Sequence, residues 1–229
     1  STTSLNLGAT NALTIGGFET TTISSTVTGA AIGQTYGAIG ITPDTGGAAT
    51  LNLTGSNNIT IGAVTAASAT SLTIDASGLT GTAAATIAAP VRTGITTGAT
   101  SIVGSANADT ITGSNNNTTI DGGAGNDGIT ASTAVDSIAG GLGDDTFTFA
   151  ANLTASDTIN GGAGNDTVSI TTTSNDVDWT NTSTVEVLAV VGAFTSTLGS
   201  AASTAGFGRA QLGAVGTVEN ITVGSGFAN

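Results

Sequence analysis

Four residue types are missing from this chain of 229 residues: cysteine, histidine, methionine and lysine. Without cysteine there are no disulfides and no thiol chemistry. Without histidine there is no Ser-His-Asp triad and no HExxH zinc site. Without lysine there is neither a P-loop lysine nor a Schiff base. Aromatic residues make up 3% and charged residues 7% of the chain. Only Arg92 and Arg209 oppose 15 acidic side chains, for a net charge of −13. Ten of the twelve aspartates lie between Asp109 and Asp178, so the acidity is local. Such a balance excludes nucleic acid and anionic membrane surfaces as partners, since both need basic patches. Divalent cations are the natural counterpart. The longest apolar run, Leu188 to Phe194, is too short to cross a bilayer, so no membrane insertion is expected. The chain opens Ser1-Thr2-Thr3, without a signal-peptide pattern, which reads as a processed product or a piece of a longer polypeptide.

Scarce charge and few aromatics are also marks of disorder. Against that, 38% of the residues are hydrophobic. Alternations such as Leu51-Asn52-Leu53-Thr54 and Ile59-Thr60-Ile61 recur between Gly, Asn, Ser and Ala turns. That is a strand-and-turn pattern, typical of solenoids with thin cores.

The strongest pattern is a nonapeptide, G-G-x-G-x-D-x-U-x, where U is a large apolar residue. It occurs from Gly122, from Gly140 and from Gly161. Extending the frame gives seven consecutive units from Gly104 to Ser169, with a three-residue insertion (Phe149 to Ala151) before the unit that starts at Asn152. Their eighth places are Ile111, Ile120, Ile129, Ile138, Phe147, Ile159 and Val168, all large, apolar and strand-prone. In a parallel β-roll each unit makes a turn and a short strand, and two units complete a coil. The eighth residue points inward between two stacked sheets, and coils stack at about 4.8 Å. The sixth-place aspartate of one unit then meets that of the unit two further on. Carboxylates so close repel unless a proton or cation intervenes. Calcium, bound by carboxylate and carbonyl oxygens, is the expected cofactor.

The units with paired glycines are the third, fifth and seventh, and the first keeps Asp109. All four fall on one side of the roll. The expectation is a one-sided ladder of ions at Asp109/Asp127, Asp127/Asp145 and Asp145/Asp166. The turn glycines Gly122, Gly123, Gly125, Gly140, Gly141, Gly143, Gly161, Gly162 and Gly164 complete the candidate set. On the other side, Asp136 and Asp157 are candidates for a weaker ion, or else belong to an Asn/Thr/Ser turn stack satisfied by hydrogen bonds. The insertion is expected to be absorbed without a change of side. Paired aspartates could serve glycoside hydrolysis, but every pair here lies in the calcium frame, so the protein is expected not to be an enzyme.

The fold expected is all-β: an elongated β-solenoid in which a calcium-binding parallel β-roll (101–170) is flanked by a Thr/Ala/Gly-rich solenoid or sandwich (1–100) and a β-rich C-terminal region (171–229). The Ala-rich stretch from Gly81 to Arg92 is a candidate junction. Glu19, Glu186 and Glu219 each follow an apolar residue and precede an alternating strand. They cap turn amides, bind a further ion, or sit solvated on a strand edge. Trp179 reads as a local packing anchor.

The seven units resemble RTX modules. The wider bias toward Thr, Ala, Gly and Ser, with V/F-E-x-x-x-V/I strands, resembles bacterial surface-layer (S-layer) proteins of the RTX type. That resemblance implies type I secretion, folding on contact with extracellular calcium, and self-assembly into a lattice on the bacterial cell surface. Its partners would be further copies of the chain and a cell-surface polysaccharide. The chain has no clear C-terminal secretion signal or anchoring segment, as if only the lattice-forming part were present. A calcium-stiffened segment of an RTX adhesin or biofilm matrix protein is the alternative. An ice-binding module and the calcium domain of a secreted enzyme are further ones. Ice binding is disfavoured by Ala124, Leu142 and Ala163, where a flat Thr/Asn array would be needed.

Overall fold

The computed structural model describes residues 3–5, 13–17, 19–25, 34–43, 46–94, 98–149, 153–172, 174, 176–191, 195–212 and 220–223. Every strand pair among them is parallel. The architecture is an all-β parallel solenoid built on two nine-stranded sheets. Sheet I stacks Thr3–Leu5, Thr20–Ser24, Ala49–Gly55, Leu72–Leu79, Thr100–Val103, Thr118–Ala124, Asp136–Leu142, Thr158–Ala163 and Thr182–Ser183. Sheet II stacks Gln34–Tyr36, Ile59–Ile61, Ala85–Ile87, Thr110–Thr112, Gly128–Thr130, Thr146–Phe149, Thr167–Ile170, Val187–Val190 and Arg209–Leu212. Both run without a break past residue 100 and past residue 170.

A third, four-stranded sheet joins them in the N-terminal coils, with strands Leu13–Gly16, Ile39–Thr42, Val64–Ala67 and Val91–Thr93. From Ala49 to Thr93 the chain visits sheets I, II and III in turn; from Thr100 to Ile170 it alternates between I and II. The third sheet thus ends next to Arg92, within the Ala-rich stretch. The Arg92 side chain is buried at 2% exposure. Its guanidinium donates to the carbonyls of Gly98, of Ala69 (2.6 Å) and of Thr70 (2.9 Å). Three loop carbonyls at this step are thus satisfied by one planar fork of donors.

Alternation along each strand explains the core. In Ala49–Gly55 the inward residues Ala49, Leu51 and Leu53 are buried and the Thr and Asn between them are half-exposed. Parallel register then stacks like on like. Sheet I carries a column Leu51, Ile74, Ile102, Ile120, Ile138, Ile159. Sheet II carries Ile61, Ile87, Ile111, Ile129, Phe147, Val168, Leu188. All seven eighth-place residues of the nonapeptide frame are at most 2% exposed. Burying such side chains contributes about 1.5–3 kcal/mol each, and the columns form one contiguous cluster.

The insertion leaves the register intact. Ile138 pairs with Ile159 and Phe147 with Val168, while Phe149 is buried and pairs with Ile170; Ala150 and Ala151 lie outside the described residues. Beyond the repeats, a short 3-10 turn (Asp176–Trp179) and a helix (Ser200–Ala205) pack on the last coils. Trp179 is fully buried, its ring edge-on to Phe207 at 4.9 Å.

Candidate metal centre

Each strong unit begins with a turn whose shape only glycine permits. The second and fourth places, Gly123, Gly125, Gly141, Gly143, Gly162 and Gly164, all have φ between +102° and +145°, a region costly for residues with a β-carbon. The first glycines matter for space instead. A β-carbon on Gly122 would overlap both the Asp127 Oδ2 and the Gly140 carbonyl oxygen. On Gly140 it would overlap the Asp145 Oδ2 and the Gly161 carbonyl, and on Gly161 the Asp166 Oδ2 and the Thr184 carbonyl. In each coil, a carboxylate oxygen and a carbonyl oxygen of the next coil therefore crowd against one α-carbon.

The aspartates form a continuous ladder. The amide of Asp109 donates to Asp127 Oδ1 (2.7 Å), that of Asp127 to Asp145 Oδ1 (2.8 Å), and that of Asp145 to Asp166 Oδ1 (2.8 Å). The first two steps span 18 residues and the third 21, because the insertion intervenes. Below Asp166 the next carboxylate is Glu186, whose Oε2 accepts from the Asp166 amide at 2.8 Å. Asp127, Asp145 and Asp166 are at most 2% exposed. The Oδ2 of each is buried and has no hydrogen-bond partner.

Three buried anionic oxygens without donors are costly, and the cost shows in their proton affinity. Burial, reinforced by the carboxylates of Asp109, Asp145 and Asp121, pushes Asp127 up to about 7 against the opposing Asp109 amide bond. Burial pushes Asp145 up to about 6, with Asp166 and Asp144 adding repulsion. Asp166 is raised by burial and then by Glu186 and Asp144. Among the described residues no three His, Cys, Asp or Glu side chains are grouped so as to hold a metal by themselves. The donors present are paired carboxylates supplemented by backbone carbonyls, all oxygen, which is the set a hard cation such as calcium takes. The residues fit that metal.

The remaining candidates sit differently. Asp109 belongs to the ladder, but its oxygens are occupied. Oδ2 accepts from the Ser105 amide, and Oδ1 from the Ser105 hydroxyl (2.9 Å) and the Ala85 amide (2.5 Å). On the opposite side Asp136 and Asp157 are brought together, with the Asp136 amide donating to Asp157 Oδ1 at 2.9 Å. Ser132 donates its amide and hydroxyl to Asp136, and Thr154 donates both to Asp157. The coil above repeats the turn with Ser114 and Thr118 and no carboxylate. A hydroxyl three or four residues ahead of the sixth place thus closes the turn on itself, whereas Gly-Gly leaves it open.

Sequence reasoning missed the role of Ser105, although its place in the frame, where the strong units have glycine, was a visible signal. It missed Thr184, which carries no signal, and a second ladder at the fifth place. There Asn126 Oδ1 accepts from the Asp144 amide (3.0 Å) and Asp144 Oδ1 from the Asn165 amide (2.8 Å). Glu186 caps a turn amide, Glu19 is exposed, and Glu219 lies outside the described residues.

Open glycine turns stacked in register over buried carboxylates, on a two-sheet parallel coil, define a calcium-binding β-roll. The family model of the RTX calcium-binding nonapeptide repeat matches four copies here, over residues 95–129, 129–150 and 154–169. The segment carries RTX-type repeats, and such repeats bind calcium. No curated protein and no solved structure matches the chain. Among the described residues no helix is long and apolar enough to cross a membrane.

Proposed function

We propose that this is a structural, extracellular bacterial protein whose roll completes its fold by taking up calcium and which self-assembles into a surface-layer lattice. The observation that carries the calcium part is the set of buried, donorless Oδ2 atoms of Asp127, Asp145 and Asp166. Asp127 and Asp145 hold an ion with the Gly140 carbonyl, and Asp145 and Asp166 hold one with the Gly161 carbonyl. Gly122, Gly123, Gly125, Gly141, Gly143, Gly162 and Gly164 keep the turns open for it. Bound calcium supplies positive charge that lets neighbouring carboxylates stay ionised side by side. Asp109, Asp136 and Asp157, already supplied with protein donors, act as caps of their own turns.

Proteins with such repeats are typically secreted. Outside a cell, millimolar calcium saturates sites of order 10⁻⁴–10⁻³ M affinity; inside, the same carboxylates repel and keep the chain exportable. Binding to the folded form alone makes the metal a source of folding free energy. The lattice reading is supported by composition: abundant Thr, Ala and Gly, and no Lys, Met or Cys to offer proteases and oxidants. Its partners are further copies of the chain, with a surface polysaccharide as anchor. A rod segment of an adhesin is the second reading, favoured by the two sheets that run unbroken along the solenoid. Electron microscopy of the purified chain in millimolar calcium separates them. Ordered two-dimensional arrays that dissolve in chelator are expected; extended single rods at every concentration would replace the lattice by the adhesin.

A further inference from the structure

We infer that the ladder continues one coil beyond the last nonapeptide, and that Asp166, Glu186 and the Thr184 carbonyl form a further calcium site there. The inference rests on the calcium reading of the repeats and extends it to Thr184 and Glu186, which lie outside every matched copy.

The geometry repeats that of the rungs above. Glu186 lies under Asp166, since Thr167 pairs with Val187 and the amides of Glu186 and Val187 both donate to the Asp166 carbonyl. Its Oε2 takes the Asp166 amide at 2.8 Å, the bond that Oδ1 makes in each earlier rung. Glutamate stands where the frame has aspartate, and its extra methylene carries the carboxylate to the same amide. The Thr184 carbonyl oxygen sits against the α-carbon of Gly161, in the place that the Gly161 carbonyl takes over Gly140.

Two observations separate this coil from an ordinary capped turn. Asp166 is 0% exposed, yet its Oδ2 has no donor, and a β-carbon on Gly161 would overlap both this oxygen and the Thr184 carbonyl oxygen. Thr184 holds φ at +51°, a conformation unfavourable for a β-branched residue. It is fixed there by Gly162, whose amide donates to its hydroxyl at 2.8 Å, and by its own bond to Asn160 Oδ1 at 2.7 Å. At Asp109 the Gly122 carbonyl crowds Gly104 in the same way, but there the Ser105 amide donates to Oδ2, whereas Asp166 Oδ2 receives no donor. A buried carboxylate oxygen crowded with a carbonyl oxygen against one glycine, with no donor to it, calls for a cation.

The site would also tie the roll to the C-terminal coils. The Glu186 carbonyl accepts from the amides of Gly208 and Arg209, and the Val185 amide donates to Ala205 at the end of the helix. An ion at Glu186 therefore stiffens the step from the last repeat into the coil closed by Trp179 and Phe207.

The test counts calcium on the full chain by native mass spectrometry and calorimetric titration, for wild type and Glu186→Gln. The amide oxygen of Gln keeps the bond to Asp166 and removes only the charge. One ion fewer per chain, with the other sites unchanged, is the expected result. An unchanged count at unchanged affinity overturns this rung while leaving the repeats as calcium sites. No calcium on the wild type overturns the rung and the calcium reading together. Should Glu186→Gln not regain wild-type circular dichroism in excess calcium, Glu186→Ala removes the carboxylate from the same rung. One ion fewer, or one weakened about tenfold or more, supports the site, and the wild-type count at wild-type affinity rejects it.

Discussion

At the residue scale, the difference between a metal-holding turn and a self-sufficient one lies in the atoms that face the carboxylate. Asp136 and Asp145 are both buried aspartates in the sixth place of a unit. Ser132 supplies Asp136 with an amide and a hydroxyl, whereas glycine at the matching places leaves Asp145 Oδ2 without a donor. Replacement by asparagine therefore has different consequences on the two sides. Asp145→Asn removes a charge shared by two rungs, and the calcium midpoint of folding should rise by about tenfold or more. Asp136→Asn removes no calcium ligand and costs about 1–3 kcal/mol of stability through the weakened turn, so the same number of ions binds and the midpoint moves less, through that loss alone. Calcium titrations followed by circular dichroism check both, and equal shifts in midpoint would reject a one-sided ladder.

At the scale of the element, the sheets show what periodic sequence reveals and what it hides. In the roll, nine-residue units place Ile111, Ile129, Phe147 and Val168 in one column, and that column can be written down from spacing alone. The N-terminal coils are of unequal length: Thr21 pairs with Leu51, Ala49 with Leu72 and Leu72 with Thr100. Without a fixed period no frame exists to reveal the third sheet. Nor does sequence show why it ends, since Arg92 acts there through a buried side chain bonded to carbonyls of residues 22 and 23 positions earlier.

The roll as an element should respond to pH in opposite senses with and without calcium. In the metal-free fold, Asp127 is raised to about 7 and Asp145 to about 6, from an unfolded value near 4. A carboxyl group whose folded value is raised binds its proton more tightly when folded. Its stabilising contribution is complete below about pH 4 and is lost as the pH rises through 6 to 7. Chelated protein should therefore melt higher at pH 4.5 than at pH 7.5. In excess calcium the order reverses, because protons compete with the metal for Asp127, Asp145 and Asp166. Thermal melts at the two pH values, with and without chelator, give the answer. A chelated protein indifferent to pH would show that these carboxylates carry no buried charge.

For the whole molecule, the question is how far the loss of calcium travels along a solenoid whose sheets have no gap. Each coil contacts only its neighbours, so stability is close to a sum of coil and interface terms. The coils from Ala49 to Thr93 have an apolar core on three sheets and no stacked carboxylates; Asp75 is the one acidic residue among them. The coils from Thr100 to Val190 have thinner two-sheet cores and carry the whole ladder from Asp109 to Glu186. Repulsion in the ladder therefore acts on one part of the molecule, and the interface at Arg92 decides whether it spreads. That interface is well made: Leu72 to Asp75 pair with Thr100 to Val103, and Arg92 binds across the junction to Gly98. The Arg92 side-chain bonds stay within residues 69–98, and the ladder reaches these coils through Asp109, which accepts from the Ala85 amide and is already supplied with donors by Ser105. Chelation should release amide hydrogens for exchange from Gly104 through Val190 while residues 49–93 keep their protection. Hydrogen-exchange mass spectrometry in calcium and in chelator resolves the two parts. Loss of protection along the entire chain would make the solenoid a single cooperative unit, and the calcium ladder would then control the fold of the N-terminal coils as well.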